Sequence, residues 1–239
     1  MRSSVIEVHP GESFENLIGR TAIEQKKSLV WAIYQALDYF NAQEVAEVGQ
    51  TLACHKGCDF CCRLLVSCRP VEWAEISLFI RRMDKKKRFR LNQRVTAILP
   101  AWKRWLKRHG ALLSDQIETY LAWEGKPCPF LIPGGGCDIY PVRPVICRTH
   151  SSTADCATQG EAQAMSFRYP WESWANKLVR DIQEKLTQRM DVSPVHEWLR
   201  WRREGGVRRL IQGFRNHQEY QEAVAMVAAR HGGKIPLRL

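Results

Sequence analysis

Apolar residues recur along most of the chain with the three- and four-residue spacing of α-helices. The first such stripe consists of Leu29, Ala32, Ile33, Ala36, Leu37 and Phe40. A second stripe follows Pro70 and Glu72, which are typical of a first helical turn, and consists of Ile76, Phe79, Ile80 and Met83. This spacing places the apolar side chains on one face of each helix. The pattern therefore predicts a mainly α fold.

Further stripes extend this pattern through the second half of the chain. One of them holds Pro100 among Val95, Ile98, Leu99, Trp102 and Leu106, so we expect that segment to be kinked or split. The later stripes are Trp171, Trp174, Leu178 and Ile182; then Val207, Leu210, Ile211 and Phe214; then Tyr220, Val224, Val227 and Ala228. We expect a single domain over residues 1–239, with helical flanks at 1–50 and 157–239 around a core at 51–156.

Two cysteine-bearing loops interrupt the predicted helices. One runs from Cys54 to Cys68, and the other, from Pro127 to Cys156, is rich in proline and holds three consecutive glycines. Within the second loop, residues 130–132 and 137–140 flank a Pro-Gly-Gly-Gly turn, which predicts a short β-hairpin. The sequence thus predicts a helical scaffold that carries two irregular loops.

The cysteines of these loops have the spacing of metal ligands. Four lie within nine positions, at Cys54, Cys58, Cys61 and Cys62, and such short gaps let one loop surround a single ion. Cys128, Cys137, Cys147 and Cys156 are too far apart to form a site alone, but the fold can bring them to the first set. We interpret all eight as candidate metal ligands. Cys68 is expected to be a buried structural thiol, while His55 and His150 are expected to lie outside the coordination sphere.

The cysteine content favours metal over disulfides. The chain begins without the features of a secretory signal, and no apolar run approaches the ~18 residues that a spanning helix needs. We therefore expect a cytoplasmic protein without membrane insertion, and disulfides are disfavoured in that compartment. The odd number of cysteines, nine, also argues against simple pairing. Arg63, Arg143 and Arg148 accompany the cysteines and are expected to offset the negative charge of a metal–thiolate centre.

The chain is strongly basic, with a formal net charge of +11. The densest cationic segment runs from Arg81 to Arg108 and has Asp84 as its only nearby acid in the sequence. Such a charge attracts nucleic acid, anionic lipid or an acidic protein. Trp102 and Trp105 within the segment could stack on bases. Because the apolar stripe explains these tryptophans without a ligand, we favour a solvated helix whose tryptophans face the core.

The motifs around the cysteines resemble those of the CxxCxxCC family, also called YkgJ-type cysteine-cluster proteins. The match is strongest in the second loop, which reads Cys128-Pro-Phe-Leu131, Cys137-Asp-Ile-Tyr140, Arg143-Pro144 and Cys147-Arg148. The resemblance covers about Thr51 to Cys156. It implies a zinc- or iron-chelating domain in which both loops serve one metal centre.

Several functions remain open from the sequence. The first is a metal-binding protein that holds zinc or iron, including an iron–sulfur cluster, in a structural or redox role. The second is an iron–sulfur enzyme, because a related cysteine pattern occurs in flagellin lysine methylases and Cys54-x3-Cys58-x2-Cys61 has the spacing of radical S-adenosylmethionine enzymes. The third is a metal-stabilised nucleic-acid-binding protein. The sequence does not decide between one and two metal sites.

Overall fold

The described part of the chain opens with two helices that pack on each other. The computed structural model describes residues 8–9, 11–25, 28–55, 57–109, 123, 126–156, 167–186 and 192–203. Helix α1 spans Phe14–Glu24, and helix α2 spans Leu29–Glu47. Each begins at a serine, Ser13 or Ser28, whose hydroxyl accepts a backbone N–H of the first turn. Helix α2 confirms the first predicted stripe, while α1 is an additional helix that the predicted stripes do not include.

Two longer helices follow the first cysteine loop. Helix α3 spans Pro70–Arg82, and helix α4 spans Lys85–His109. Helix α4 is continuous through Pro100, so the segment is not split there, and the alternative expectation of a kink stays a prediction. A proline removes one helical hydrogen bond, but Leu99 and Trp102 on either side of it are buried and hold both halves of the helix to the core.

Shorter elements complete the fold. Helix α5 spans Val145–Thr149 inside the second cysteine loop, which is therefore less irregular than predicted. Helix α6 spans Trp171–Leu186 and confirms the stripe predicted there, and helix α7 spans Val195–Arg203. The two stripes predicted after residue 203 lie outside the described residues.

The described strands are short and link distant segments. Strand β1, Ser67–Cys68, pairs antiparallel with strand β2, Ser193–Pro194. The indole of Trp198 strengthens this link, since its Nε1 donates to the carbonyl oxygens of Cys68 at 3.1 Å and Ser193 at 3.0 Å. The first cysteine loop is thus tied to α7. The predicted hairpin is also present, as an antiparallel bridge between Leu131 and Cys137.

Aromatic side chains form much of the core. At one end, Phe14 of α1 stacks on Trp171 of α6, with ring centroids 5.6 Å apart. At the other end, Trp102 of α4 stacks on His196 of α7 at 5.0 Å, and Trp123 meets His196 edge-on at 4.8 Å. The fold is mainly α, as predicted, and Trp73 of α3 contacts both Phe130 of the second cysteine loop and Trp198 of α7.

The basic segment is a helix with a buried apolar face. Trp102 is fully buried and Trp105 is 3% exposed, so both tryptophans face the core as predicted. Its cations are mostly exposed, but Arg94 forms an ion pair with Asp138 of the second cysteine loop. The expectation that Asp84 is the only nearby acid is therefore wrong for Arg94. Among the residues described, none of the helices has the long apolar run that crossing a bilayer demands.

His196 makes the stability of the fold sensitive to acid. Burial lowers the pKa of His196 to about 3, and the neighbouring Pro127 carbonyl offsets this shift only in part. The unfolded chain, with an ordinary histidine pKa of about 6.5, binds the proton that the folded chain excludes. The contribution of neutral His196 is therefore complete above pH 6.5 and is lost progressively as the pH falls from 6.5 towards 3.

We expect His196→Phe to remove this pH dependence, because a phenyl ring keeps the aromatic packing but does not titrate. Between pH 7.5 and pH 5, the free energy of unfolding of the wild type should fall by about 2 kcal/mol more than that of the variant. Urea denaturation of both proteins over this range measures the difference. Parallel dependence of the unfolding free energy on pH in the two proteins would contradict the prediction. The protonation of any metal ligands affects both proteins equally and therefore cancels in the difference.

Candidate metal centre

Backbone hydrogen bonds join the two cysteine loops directly at their cysteines. The N–H of Cys128 donates to the carbonyl oxygen of Cys62 at 2.6 Å. At the other end of the contact, the N–H of Ser152 donates to the Cys54 sulfur at 3.2 Å, and Ala53 donates to the Ser152 carbonyl at 3.0 Å. Segments up to 98 residues apart in this sulfur contact are therefore held side by side.

A glycine permits this close approach. Gly135 has φ +95°, and a Cβ atom on it would lie 2.6 Å from the carbonyl oxygen of Gly57 in the first loop. Any other residue would both strain the backbone and force the two loops apart. The glycine run predicts a turn in the sequence, and the structure gives it a second role in loop packing.

The loops and α2 enclose a cavity of about 960 Å³. Seven of the eight candidate cysteines line it, namely Cys54, Cys58, Cys61, Cys62, Cys128, Cys137 and Cys147. Cys156 is not among the lining residues that the structure describes. Burial is the main cause that raises the pKa of its thiol, and the nearby Cys54 and Cys58 contribute to the rise. Cys68 is buried in the hydrophobic core, as predicted, and does not line the cavity.

Different local structures position these thiols. Cys61 and Cys62 lie on a 3-10 turn at Cys61–Arg63, and Cys137 lies at the hairpin bridge. Cys147 lies on α5, whose first N–H, that of Val145, donates to the Glu72 carboxylate at 2.9 Å. His55 and His150 also line the cavity, and the His55 ring is 2.9 Å from the Ala53 carbonyl.

Burial favours the neutral form of the deepest thiols. It raises the pKa of Cys128, Cys137 and Cys147, while a hydrogen bond with Cys62 together with burial raises that of Cys61. Each of these thiols must lose its proton to bind a metal ion, so a bound cation would replace several protons at once. In the described residues, no three candidate ligands stand close enough to hold one ion as they are. Binding would therefore draw the thiols inward. Their chemistry suits zinc and iron, which bind thiolates well.

The comparison with protein families agrees with this geometry. Residues 53–169 match the family model CxxCxxCC, described as a "putative zinc- or iron-chelating domain". This segment belongs to the CxxCxxCC family. The match extends past Cys156 to Tyr169, which also lines the cavity. Neither a curated protein nor a solved structure matches the chain significantly.

Arg148 fastens the CxxCxxCC domain to α2. Its side chain is fully buried and pairs with the Asp38 carboxylate. It also donates to three carbonyl oxygens, those of Arg143 at 2.9 Å, Pro141 at 2.7 Å and Tyr34 at 3.5 Å. Its donors are thus used in holding the second loop against α2, so Arg148 acts mainly as a structural brace.

The other two arginines differ in their surroundings. Arg143 lines the cavity, and its charge acts against the rise in the pKa of Cys61, Cys137 and Cys147. Arg63 pairs instead with Asp59 at 3.1 Å and is not among the described residues that line the cavity. Arg148 also lines the cavity and acts against the rise in the pKa of Cys137, but Arg143 does so for Cys61 and Cys147 as well.

Two acidic residues important to the CxxCxxCC domain lie outside its cysteine motifs. Asp38 on α2 pairs with Arg143 and Arg148, and Glu72 on α3 accepts hydrogen bonds from Arg69 and Val145. Asp38 carries a weak sequence signal, because it is an acid beside the apolar stripe of α2. Its arginine partners are more than one hundred residues away, so the pairing itself is not visible in the sequence.

We expect Arg148→Met to destabilise the domain by about 3–5 kcal/mol, because it leaves buried carbonyl groups and Asp38 without their partner. Arg148→Lys should recover only part of this loss, since an ammonium group lacks the planar set of donors. Arg63→Met is the matched control and should cost under about 1 kcal/mol, because its ion pair is partly exposed. Urea denaturation gives all three values, and equal costs for Arg148→Met and Arg63→Met would contradict the brace.

Proposed function

We propose that this chain binds zinc or iron through the cysteines that line the cavity, as ions or as an iron–sulfur cluster, in a structural or redox role. The observation that carries the proposal is the convergence of seven cysteines from two separate loops on one cavity. All nine cysteines of the chain are free thiols, which suits metal binding in a reducing compartment such as the cytoplasm.

The burial of the thiols favours one set of four, Cys61, Cys128, Cys137 and Cys147, for the first centre. Cys61 from the first loop contributes to raising the pKa of Cys128, Cys137 and Cys147 from the second loop, and burial is the largest cause in each. Four thiolates are the usual complement of a structural zinc ion or a four-iron cluster. The remaining candidates, Cys54, Cys58, Cys62 and Cys156, would complete a second centre or support the first.

We expect Cys61→Ala and Cys147→Ala to lose bound metal, since each removes one of these four thiols. Cys68→Ala is the matched control, because Cys68 is buried outside the cavity, and this variant should keep the metal content of the wild type. Metal analysis after anaerobic purification measures the loss, and the absorption spectrum separates a brown iron–sulfur protein from a colourless zinc protein. Limited proteolysis should cut the loop 127–156 more readily in the metal-poor variants.

The assignment would be wrong if both cavity variants kept full metal content and native resistance to protease. Loss of metal from Cys68→Ala as well would indicate a general effect on folding.

The basic helix is a less favoured site for nucleic acid. Its tryptophans are buried, which removes them as stacking partners for bases, although Phe89 is 62% exposed. Lys85, Lys86 and Lys87 are exposed at the start of α4, where water and salt can screen them.

We expect the wild-type protein to show only weak, salt-sensitive association with DNA and RNA at about 0.15 M salt. The triple variant Lys85→Ala, Lys86→Ala, Lys87→Ala should behave like the wild type at that salt concentration and keep its metal content. Fluorescence anisotropy with labelled oligonucleotides tests both statements. Tight binding by the wild type that disappears in the triple variant would establish a nucleic-acid interface instead.

A further inference from the structure

The cavity between the cysteine loops is larger than a metal centre needs. Its volume of about 960 Å³ lies at the upper end of the ~300–1,000 Å³ typical of small-molecule sites. The thiols occupy the side formed by the two loops, whereas α2 and the residues near it supply an apolar wall. Ala42, Val45, Leu52 and Ile146 contribute to this wall.

Arg143 offers hydrogen-bond donors beside this wall. Its Nε is covered by protein atoms, so its terminal nitrogens are the ones that can hold a ligand. One terminal nitrogen lies 3.5 Å from Asp38, a long ion pair, because the same carboxylate is held by Arg148. The guanidinium group is stacked on the Tyr140 ring, 4.0 Å from its centroid, which fixes its plane.

We propose that the cavity binds a small organic acid, whose carboxylate is held by Arg143 and whose apolar body lies against Ala42, Val45 and Ile146. A planar guanidinium can donate two parallel hydrogen bonds to a carboxylate. A singly charged group is favoured over a phosphate, since the Asp38 carboxylate beside Arg143 repels additional negative charge. The proposal shares its cavity with the metal centre and depends on the proposed function only in that respect.

A series of straight-chain ligands tests this proposal on the full chain as purified, with the metal content of every sample measured. Isothermal titration calorimetry compares acetate, butanoate and hexanoate with the uncharged hexanamide. We expect the affinity to rise about fourfold for each added methylene that is buried. Hexanoate should bind about tenfold or more tightly than hexanamide, because its charge strengthens the hydrogen bonds to Arg143.

Two variants separate the two ends of the ligand. Arg143→Gln should weaken hexanoate about tenfold or more and leave hexanamide within about twofold. Val45→Trp should fill the apolar side and weaken hexanoate while acetate is little changed. Arg63→Gln is the matched control, since Arg63 also accompanies the cysteines in the sequence but pairs with Asp59, and it should bind every ligand like the wild type.

Three results would overturn the proposal: absence of saturable hexanoate binding to the wild type, equal weakening of hexanoate and hexanamide by Arg143→Gln, and unchanged hexanoate binding in that variant. The last result would show that the carboxylate binds a metal ion or another cation instead. If Arg143→Gln fails to fold, the result with Val45→Trp decides, and unchanged hexanoate binding overturns the proposal. A wild-type protein that holds metal but no hexanoate leaves the metal function intact, whereas one that binds hexanoate without metal supports only the organic-acid site.

Discussion

The fully buried guanidinium of Arg148 is the contact on which the arrangement of the cysteine cavity depends. It joins Asp38 and the Tyr34 carbonyl of α2 to the carbonyls of Pro141 and Arg143 in the second loop. Turns satisfy many backbone groups within this loop, and the fixed donors of the Arg148 side chain satisfy the carbonyls of Pro141 and Arg143.

Glu72 is a second buried side chain that connects α2 to the cysteine loops. Its carboxylate is buried and accepts hydrogen bonds from the N–H groups of Arg69 and Val145 and from the hydroxyl of Tyr34, at 2.9, 2.9 and 3.3 Å. Burial raises the pKa of Glu72, and these three donors act against that rise by stabilising the ionised form. Glu72 thus accepts the N–H groups at the starts of α3 and α5 and contacts α2 through Tyr34. Its contact with α5 helps to fix the position of Cys147.

Local patterns in the sequence predicted the helices but not the contacts among them. Periodic apolar residues identified α2, α3, α4 and α6, because a helix with one buried face leaves that signature. Helix α5 was not predicted, since five residues between prolines and cysteines are too few to show a period. Pro100 does not split α4, because tertiary packing on both sides of it holds the helix together.

The candidate site was predictable to the extent that it depends on residue type and spacing. The sequence selected the cysteines, and the structure brings seven of them to one cavity while leaving Cys156 outside the described lining. Arg63 and Arg143 look alike in the sequence, yet one has a local acid four residues away and the other faces the cavity. That difference arises from the path of the second loop, which no local pattern records.

The linkage of β1 to α7 has a consequence for how the protein assembles. The hydrogen bond from Trp198 to Cys68 spans 130 residues, and the one from Arg148 to Asp38 spans 110. Contacts this distant in sequence form slowly, because the chain entropy of closing a long loop must be overcome before they contribute. During synthesis, the thiols of the first loop leave the ribosome well before their counterparts in the second. For that interval the nascent chain presents a cluster of unpartnered thiols that can be oxidised or can bind the wrong metal.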